Sequence, residues 1–220
     1  MIFTEPIVAT FGVYVAFNFA VLYRFFAAFP AVFEGIYGFN IGESGLVFLA
    51  IAFGNLVGYL AFMLIDRLKF RPLILAAKAK TNVPEVLPEA RLYAALIGAI
   101  LLPISLLWFA WTARSSIHWI CPVIASIPFA VGNLLVFGSA MLYMIDTYGP
   151  LGGASAVAAT GLLRYAAGAG FPLFMQQMYS KLGVGWATSL FGFVSLLLLP
   201  TPWILMRWGP ELRRRSRYAS

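Results

Sequence analysis

The chain has 220 residues, 62% of them hydrophobic and 16% aromatic, with 10% charged and a formal net charge of +7. A soluble domain carries about 25% charged residues, so one water-facing shell cannot enclose this apolar excess and the bilayer is the expected solvent. That excludes most soluble enzymes. The scattered basic residues read as membrane topology, not as a nucleic-acid surface. Cys121 is the single cysteine, so no intrachain disulfide can form. The first apolar run begins almost at Met1, lacks a basic leader and is too long for the core of a cleaved signal peptide.

In chain order, six apolar stretches are each long enough to cross a hydrocarbon core of about 30 Å. They cover 7–33, 45–65, 92–112, 117–145, 151–178 and 186–206. A loop at 66–91 and a basic tail at 207–220 complete a single transmembrane domain. The expected fold is therefore all-α and integral to the membrane, a bundle of six transmembrane helices. Alternate loops sort by charge. Arg67, Lys69, Arg71, Lys78, Lys80 and Arg91 share one side with the tail's Arg207, Arg213, Arg214, Arg215 and Arg217. Arg114 and Lys181 stand alone on the other. Lys and Arg are retained in the cytoplasm, so both termini are expected there, in a multi-pass protein of the plasma membrane. Trp108, Trp111, Trp119, Trp186, Trp203 and Trp208 fall near the expected helix ends, where an interfacial belt places them.

Small residues mark where helices in lipid approach closely. Gly54 and Gly58 form such a face on the second span, and Gly161 and Gly168 belong to a longer Gly/Ala surface on the fifth. Each pair fits either ordinary packing inside the bundle or contact with a partner. Two cations lie within spans, Arg24 in the first and Arg164 in the fifth. A charge at that depth costs about 2.5–3.5 kcal/mol on insertion scales and faces protein or water. Either arginine could serve a cavity, or be structural or snorkel to an interface. No Asp or Glu lies deep in a span. Asn18, Asn55, Ser126 and Asn133 remain as neutral groups able to line a cavity or bond between helices. His118 has no carboxylate or cysteine beside it and reads as interfacial. No nucleophile elbow, phosphate-binding loop or metal-ligand cluster is present, so neither enzyme activity nor a cofactor is expected.

From the third span onward the residues become specific. Pro88-Glu89-Ala90-Arg91-Leu92, Gly98, Pro103 and Trp108-Phe109-Ala110-Trp111-Thr112 resemble the ninth helix of fungal multidrug and polyamine transporters. These form the drug:proton antiporter branch of the major facilitator superfamily. The resemblance continues through Tyr143-Met144-Ile145-Asp146-Thr147-Tyr148-Gly149, Leu163-Arg164 and Phe171-Pro172-Leu173-Phe174. It covers essentially the whole chain, which looks like the second half of a twelve-helix family, helices seven to twelve. The resemblance implies a C-terminal half of a secondary exporter of drugs or polyamines, working by proton antiport and alternating access and incomplete alone. Its partners would be the bilayer, the missing N-terminal six-helix half or a second copy, and a small organic or cationic substrate.

On that likeness, Asn18, Tyr23, Arg24 and Asn133 are the candidates for the substrate cavity. Asp66, Arg67, Asp146 and Arg164 are candidates for gating or structural charge, Asp66-Arg67 being a partial echo of the superfamily's cytoplasmic loop motif. Gly54, Gly58, Gly161 and Gly168 are candidates for contact with the other half. Relatives usually carry an acidic residue where this chain has Ala27 and an apolar one where it has Arg24. Two rival readings are a half-size transporter acting as a homodimer or heterodimer, and a non-transporting membrane protein that binds a full-length relative.

Overall fold

The computed structural model describes residues 5–75 and 87–216, and the side chains at 27, 150, 151, 174, 176 and 215 are also outside the description. Lys78, Lys80, Pro84 and Arg217 therefore lie outside the described residues. Among the described residues all regular structure is helical. Helix α1 takes in Pro6–Glu34, α2 Ile41–Leu75, α3 Pro88–Thr112 and α4 Ile120–Gly149. Then come α5 at 150–182, α6 at 184–198 and α7 at Thr201–Arg215. Asn40 starts α2 with a reciprocal cap: its Oδ1 accepts from the Glu43 N–H at 2.8 Å and its own N–H donates to Glu43 Oε2 at 2.9 Å. Gly149 (φ 67°, ψ −175°) and Gly183 (φ 73°, ψ 163°) divide α4 from α5 and α5 from α6. Residues with a Cβ rarely adopt that backbone conformation, so glycine is what allows these reversals.

Contacts at the two ends of the bundle fix how often the chain crosses it. At one end Arg91 pairs with Asp66 and Asp146, Glu89 with Arg213, and Tyr148 with Glu5. At the other, Tyr37 donates to the carbonyls of Thr112 and Arg114, Phe39 meets Trp119, and Trp111 meets Trp186. The chain therefore runs from end to end six times, with residue 5 and residue 213 at the same end. Five described stretches are long and apolar enough to cross a membrane, the fifth being Gln177–Arg214. Helix α5 is equally long, but Arg164, its glycines and its Ser155, Thr160, Tyr165 and Pro172 lower its hydropathy.

Apolar side chains gain little by leaving lipid, so close backbone approach holds such helices together. A Cβ on Gly98 of α3 would lie 2.7 Å from the Gly132 carbonyl oxygen of α4, and one on Gly132 would lie 2.8 Å from that of Gly98. Gly54 and Gly58 of α2 meet the α4 backbone at Ile127 and Val131 in the same way. Beyond these seams α2 is peripheral: Leu49, Phe53, Leu56 and Leu60 are each more than half exposed, presenting an apolar outer face. An aromatic cluster with Phe25, Phe29, Phe33, Phe109 and Phe129 fills the end that carries Tyr37.

Two boundaries differ from the sequence reading. Helix continues through 66–75, read as loop, because Asp66–Phe70 extends α2 as a wider turn in which Phe70 is buried against Arg91. The tail is helical to Arg215, where Leu212 packs on the core and Arg213 is tied to Glu89 at 2.9 Å.

Candidate functional site

On α1, Val15, Asn18, Phe19 and Leu22 recur at spacings of three and four and therefore share one face. Asn133 and Phe137 do the same on α4. With Arg164 of α5 they line a cavity of about 180 Å³. The Arg164 guanidinium lies 5.0–5.1 Å from the ring centres of Phe19, Phe137 and Tyr165, within cation–π range. One nitrogen, Nη2, donates to the Tyr165 hydroxyl at 3.3 Å, whereas Nε is buried and has no hydrogen-bond partner. Asn18 is 3% exposed, and its amide has only the Tyr14 hydroxyl beside it. The arrangement is a small aromatic chamber with an unused donor and a positive charge.

Of the residues expected to line a cavity, Asn18 and Asn133 meet here, joined by Arg164. Tyr23 lies beside it, 39% exposed, with its ring 4.8 Å from that of Phe19. Arg24 does not reach the chamber. It has no exposed surface, its guanidinium lies 4.5 Å from the Phe25 ring centre, 5.6 Å from Phe109 and 5.7 Å from Phe191, and the Tyr179 hydroxyl is the polar group beside it. The reason is helical phase: six residues beyond Asn18, at about 100° each, point Arg24 to another side of α1.

The charged candidates separate in the same way. Asp66 and Asp146 come together at the end that holds residues 5 and 213, through Arg91, which the sequence pointed to for topology and for the family likeness but not as a site residue. Arg91 donates from Nε to Asp146 Oδ2 at 2.8 Å and from Nη1 to Asp66 Oδ1 at 3.0 Å. Its guanidinium lies 3.5 Å from the Phe70 ring centre. One arginine thus ties together α2, α3 and α4 by a single charge-assisted hydrogen bond to each of two carboxylates. Arg67 is exposed beside this cluster, and Arg164 is not part of it. A second knot joins buried Glu89 to Arg213 and to the Tyr143 hydroxyl, the latter at 3.5 Å.

The glycines expected to meet another half are largely used inside this chain. Gly54 and Gly58 face α4, and Gly168 faces the Phe19 and Tyr23 rings of α1. Gly161 alone has ordinary room, its nearest neighbour being Tyr165 at 3.8 Å. Small-residue spacing marks a close helix contact without saying which helix makes it.

With these features in place, the comparison with known proteins is decisive for ancestry. The chain is 40% identical over 99% of its length to Polyamine transporter 4 of Saccharomyces cerevisiae. It is 41% identical over its full length to the MFS-type efflux pump MFS2 of Trichophyton rubrum, and 42% identical over 98% of its length to efflux pump atB of Aspergillus terreus. The chain is homologous to the fungal major facilitator transporters. It spans 36%, 36% and 45% of the length of these three curated relatives. No family model matches it, and no solved structure does. Its relatives are transporters and efflux pumps, not enzymes. The fold is an all-α, multi-pass membrane bundle, and the relatives it matches are fungal transporters and efflux pumps.

Proposed function

We propose that this chain forms the C-terminal six-helix half of a secondary exporter of small organic molecules, and that the Arg164 chamber is one wall of its substrate site. The chamber itself carries this reading. It is a polar spot in an otherwise apolar face, bordered by exposed Tyr23, Phe26, Leu162 and Tyr165. Transporters of this architecture place the site near the bilayer midplane between two repeats and expose it to either side by rocking one against the other. Both termini face the cytoplasm of a plasma-membrane protein, on the side where Arg91 joins α2, α3 and α4. Proton coupling belongs to this reading, and because no Asp or Glu lies deep in a span of this chain, the reading puts the titrating carboxylate on the other half.

Flux into proteoliposomes tests the proposal. The purified chain alone is compared with the chain reconstituted beside the part of Polyamine transporter 4 outside the matched region, using spermidine, rhodamine 6G and benzoate as probes. Flux is expected only in the combined preparation. Flux from the chain alone replaces the half-transporter with a homodimer, and no flux from correctly folded protein in either preparation refutes the exporter. Sidedness is read separately in a Cys121→Ser background. Glu34→Cys reacts with an impermeant maleimide from outside intact cells, and Arg214→Cys reacts only after permeabilisation; the reverse pattern overturns the orientation.

A further inference from the structure

We infer that the Arg164 chamber selects an anionic group, a carboxylate on a ring-sized organic molecule, over a cation of the same size. The inference rests on the reading of the chamber as a substrate site and adds its charge preference.

Three observations carry it. The first is an inventory of donors. Arg164 has no acceptor on Nε, and Asn18, 97% withdrawn from solvent, has only the Tyr14 hydroxyl beside its amide. A buried donor left unpaired is costly, and a carboxylate supplies the lone pair Arg164 lacks and a stronger acceptor for Asn18, with the planar shape a guanidinium engages best. The second is the distribution of negative charge. The sequence has no Asp or Glu between residues 6 and 33, 44 and 65, 90 and 145, or 147 and 210. A cation entering the chamber would meet Arg164 with no carboxylate of this chain to offset the repulsion, which a low-dielectric site strengthens. The third is size and wall chemistry. An apolar cavity of about 150 Å³ holds a benzene ring; this one measures about 180 Å³ and offers the rings of Phe19 and Phe137 beside the charge.

The test uses three probes of nearly one shape, benzoate, benzamide and benzylamine, in equilibrium dialysis against the purified 220-residue chain in nanodiscs. Benzoate is expected to bind about tenfold more tightly than benzylamine, with benzamide between them. Arg164→Gln abolishes the preference. Asn18→Leu weakens benzoate about fivefold and leaves benzylamine unchanged. Arg114→Gln removes a cation that stacks on Trp111 outside the chamber and changes nothing, which excludes general attraction to a basic protein. Should Arg164→Gln not fold, Arg164→Lys keeps the charge without the fork and is expected to retain part of the preference. Benzylamine binding as tightly as benzoate, or a benzoate affinity indifferent to both Arg164→Gln and Asn18→Leu, overturns the inference. Failure here is separable from failure of the exporter reading. Amine flux in the combined proteoliposomes without benzoate selectivity refutes the charge preference alone. Selective benzoate binding without flux of any probe refutes the exporter alone.

Discussion

Arg24 and Arg164 are both cations set within apolar helices, and the bundle treats them in opposite ways. Arg24 is sealed among Phe25, Phe109 and Phe191 with only the Tyr179 hydroxyl as a polar neighbour. Arg164 stands at the wall of a chamber, in contact with a hydroxyl and three rings and with one donor to spare. Depth in a helix sets what a charge costs. The side of the helix it occupies sets what it can be used for. Glycines divide along the same line: Gly98 and Gly132 press backbone to backbone, whereas nothing lies within 4 Å of a Cβ built on Gly170. The molecule has a closed inner seam and an open α1–α5 face, and each can be challenged separately.

The largest contrast is expected from one substitution made on both sides. In Gly98→Leu even the first added carbon would lie 2.7 Å from the Gly132 oxygen and 3.0 Å from Leu135 and Val136. Overpacking costs about 1–3 kcal/mol, occasionally more, and a backbone atom cannot yield as a side chain does. A loss of about 3 kcal/mol in thermal unfolding in detergent is expected. Gly170→Leu should cost less than about 1 kcal/mol, since the helix gains from losing a glycine. Equal losses at the two positions would erase the distinction between seam and open face.

Next comes the arginine pair itself. Arg24→Met exchanges a buried cation with one hydroxyl beside it for an apolar side chain of similar reach. It is expected to raise stability by about 1–2 kcal/mol, the insertion cost of the charge less what its three aromatic neighbours return. Benzoate binding should not change. Arg164→Gln should do the reverse, leaving thermal stability nearly unaltered while removing the anion preference. A lower melting temperature for Arg24→Met would mean that the aromatic faces more than offset burial, making Arg24 a stabilising part of the core.

Much of this architecture was legible beforehand because apolar length is a strong signal. Six crossings and the two reversals follow from runs of Leu, Phe and Ala between charged loops. Phase was harder. Helix α1 is apolar on every side, so no polar stripe marked which face enclosed the core. The six-residue interval from Asn18 to Arg24 did carry the answer, since it separates them by about one and two-thirds turns and so turns them to different sides. Nothing local pointed to Arg91 as the tie between Asp66 and Asp146, which are 25 and 55 residues away from it in the chain. Its position after Pro88 and Glu89 was visible, its partners were not. The helix at 66–75 was hidden by its charges, which resemble a loop until Phe70 is seen to be buried.

Arg91 gives the smallest effect and the sharpest check on how far the closed side extends. Its pairs with Asp66 and Asp146 are short, 3.0 and 2.8 Å, but the side chains keep 20–31% of their exposure. Water therefore screens them, and exposed pairs contribute about 0.2–1 kcal/mol each. Arg91→Gln is expected to lower stability by about 1 kcal/mol at low salt, and by less at high salt, where screening already weakens the pairs. Benzoate affinity should not move, because the chamber shares none of its lining residues with this cluster. A loss of several kcal/mol, unchanged by salt, would instead show that the cluster behaves as a dry site. The seam would then run unbroken from Gly98 to the charged end of the bundle.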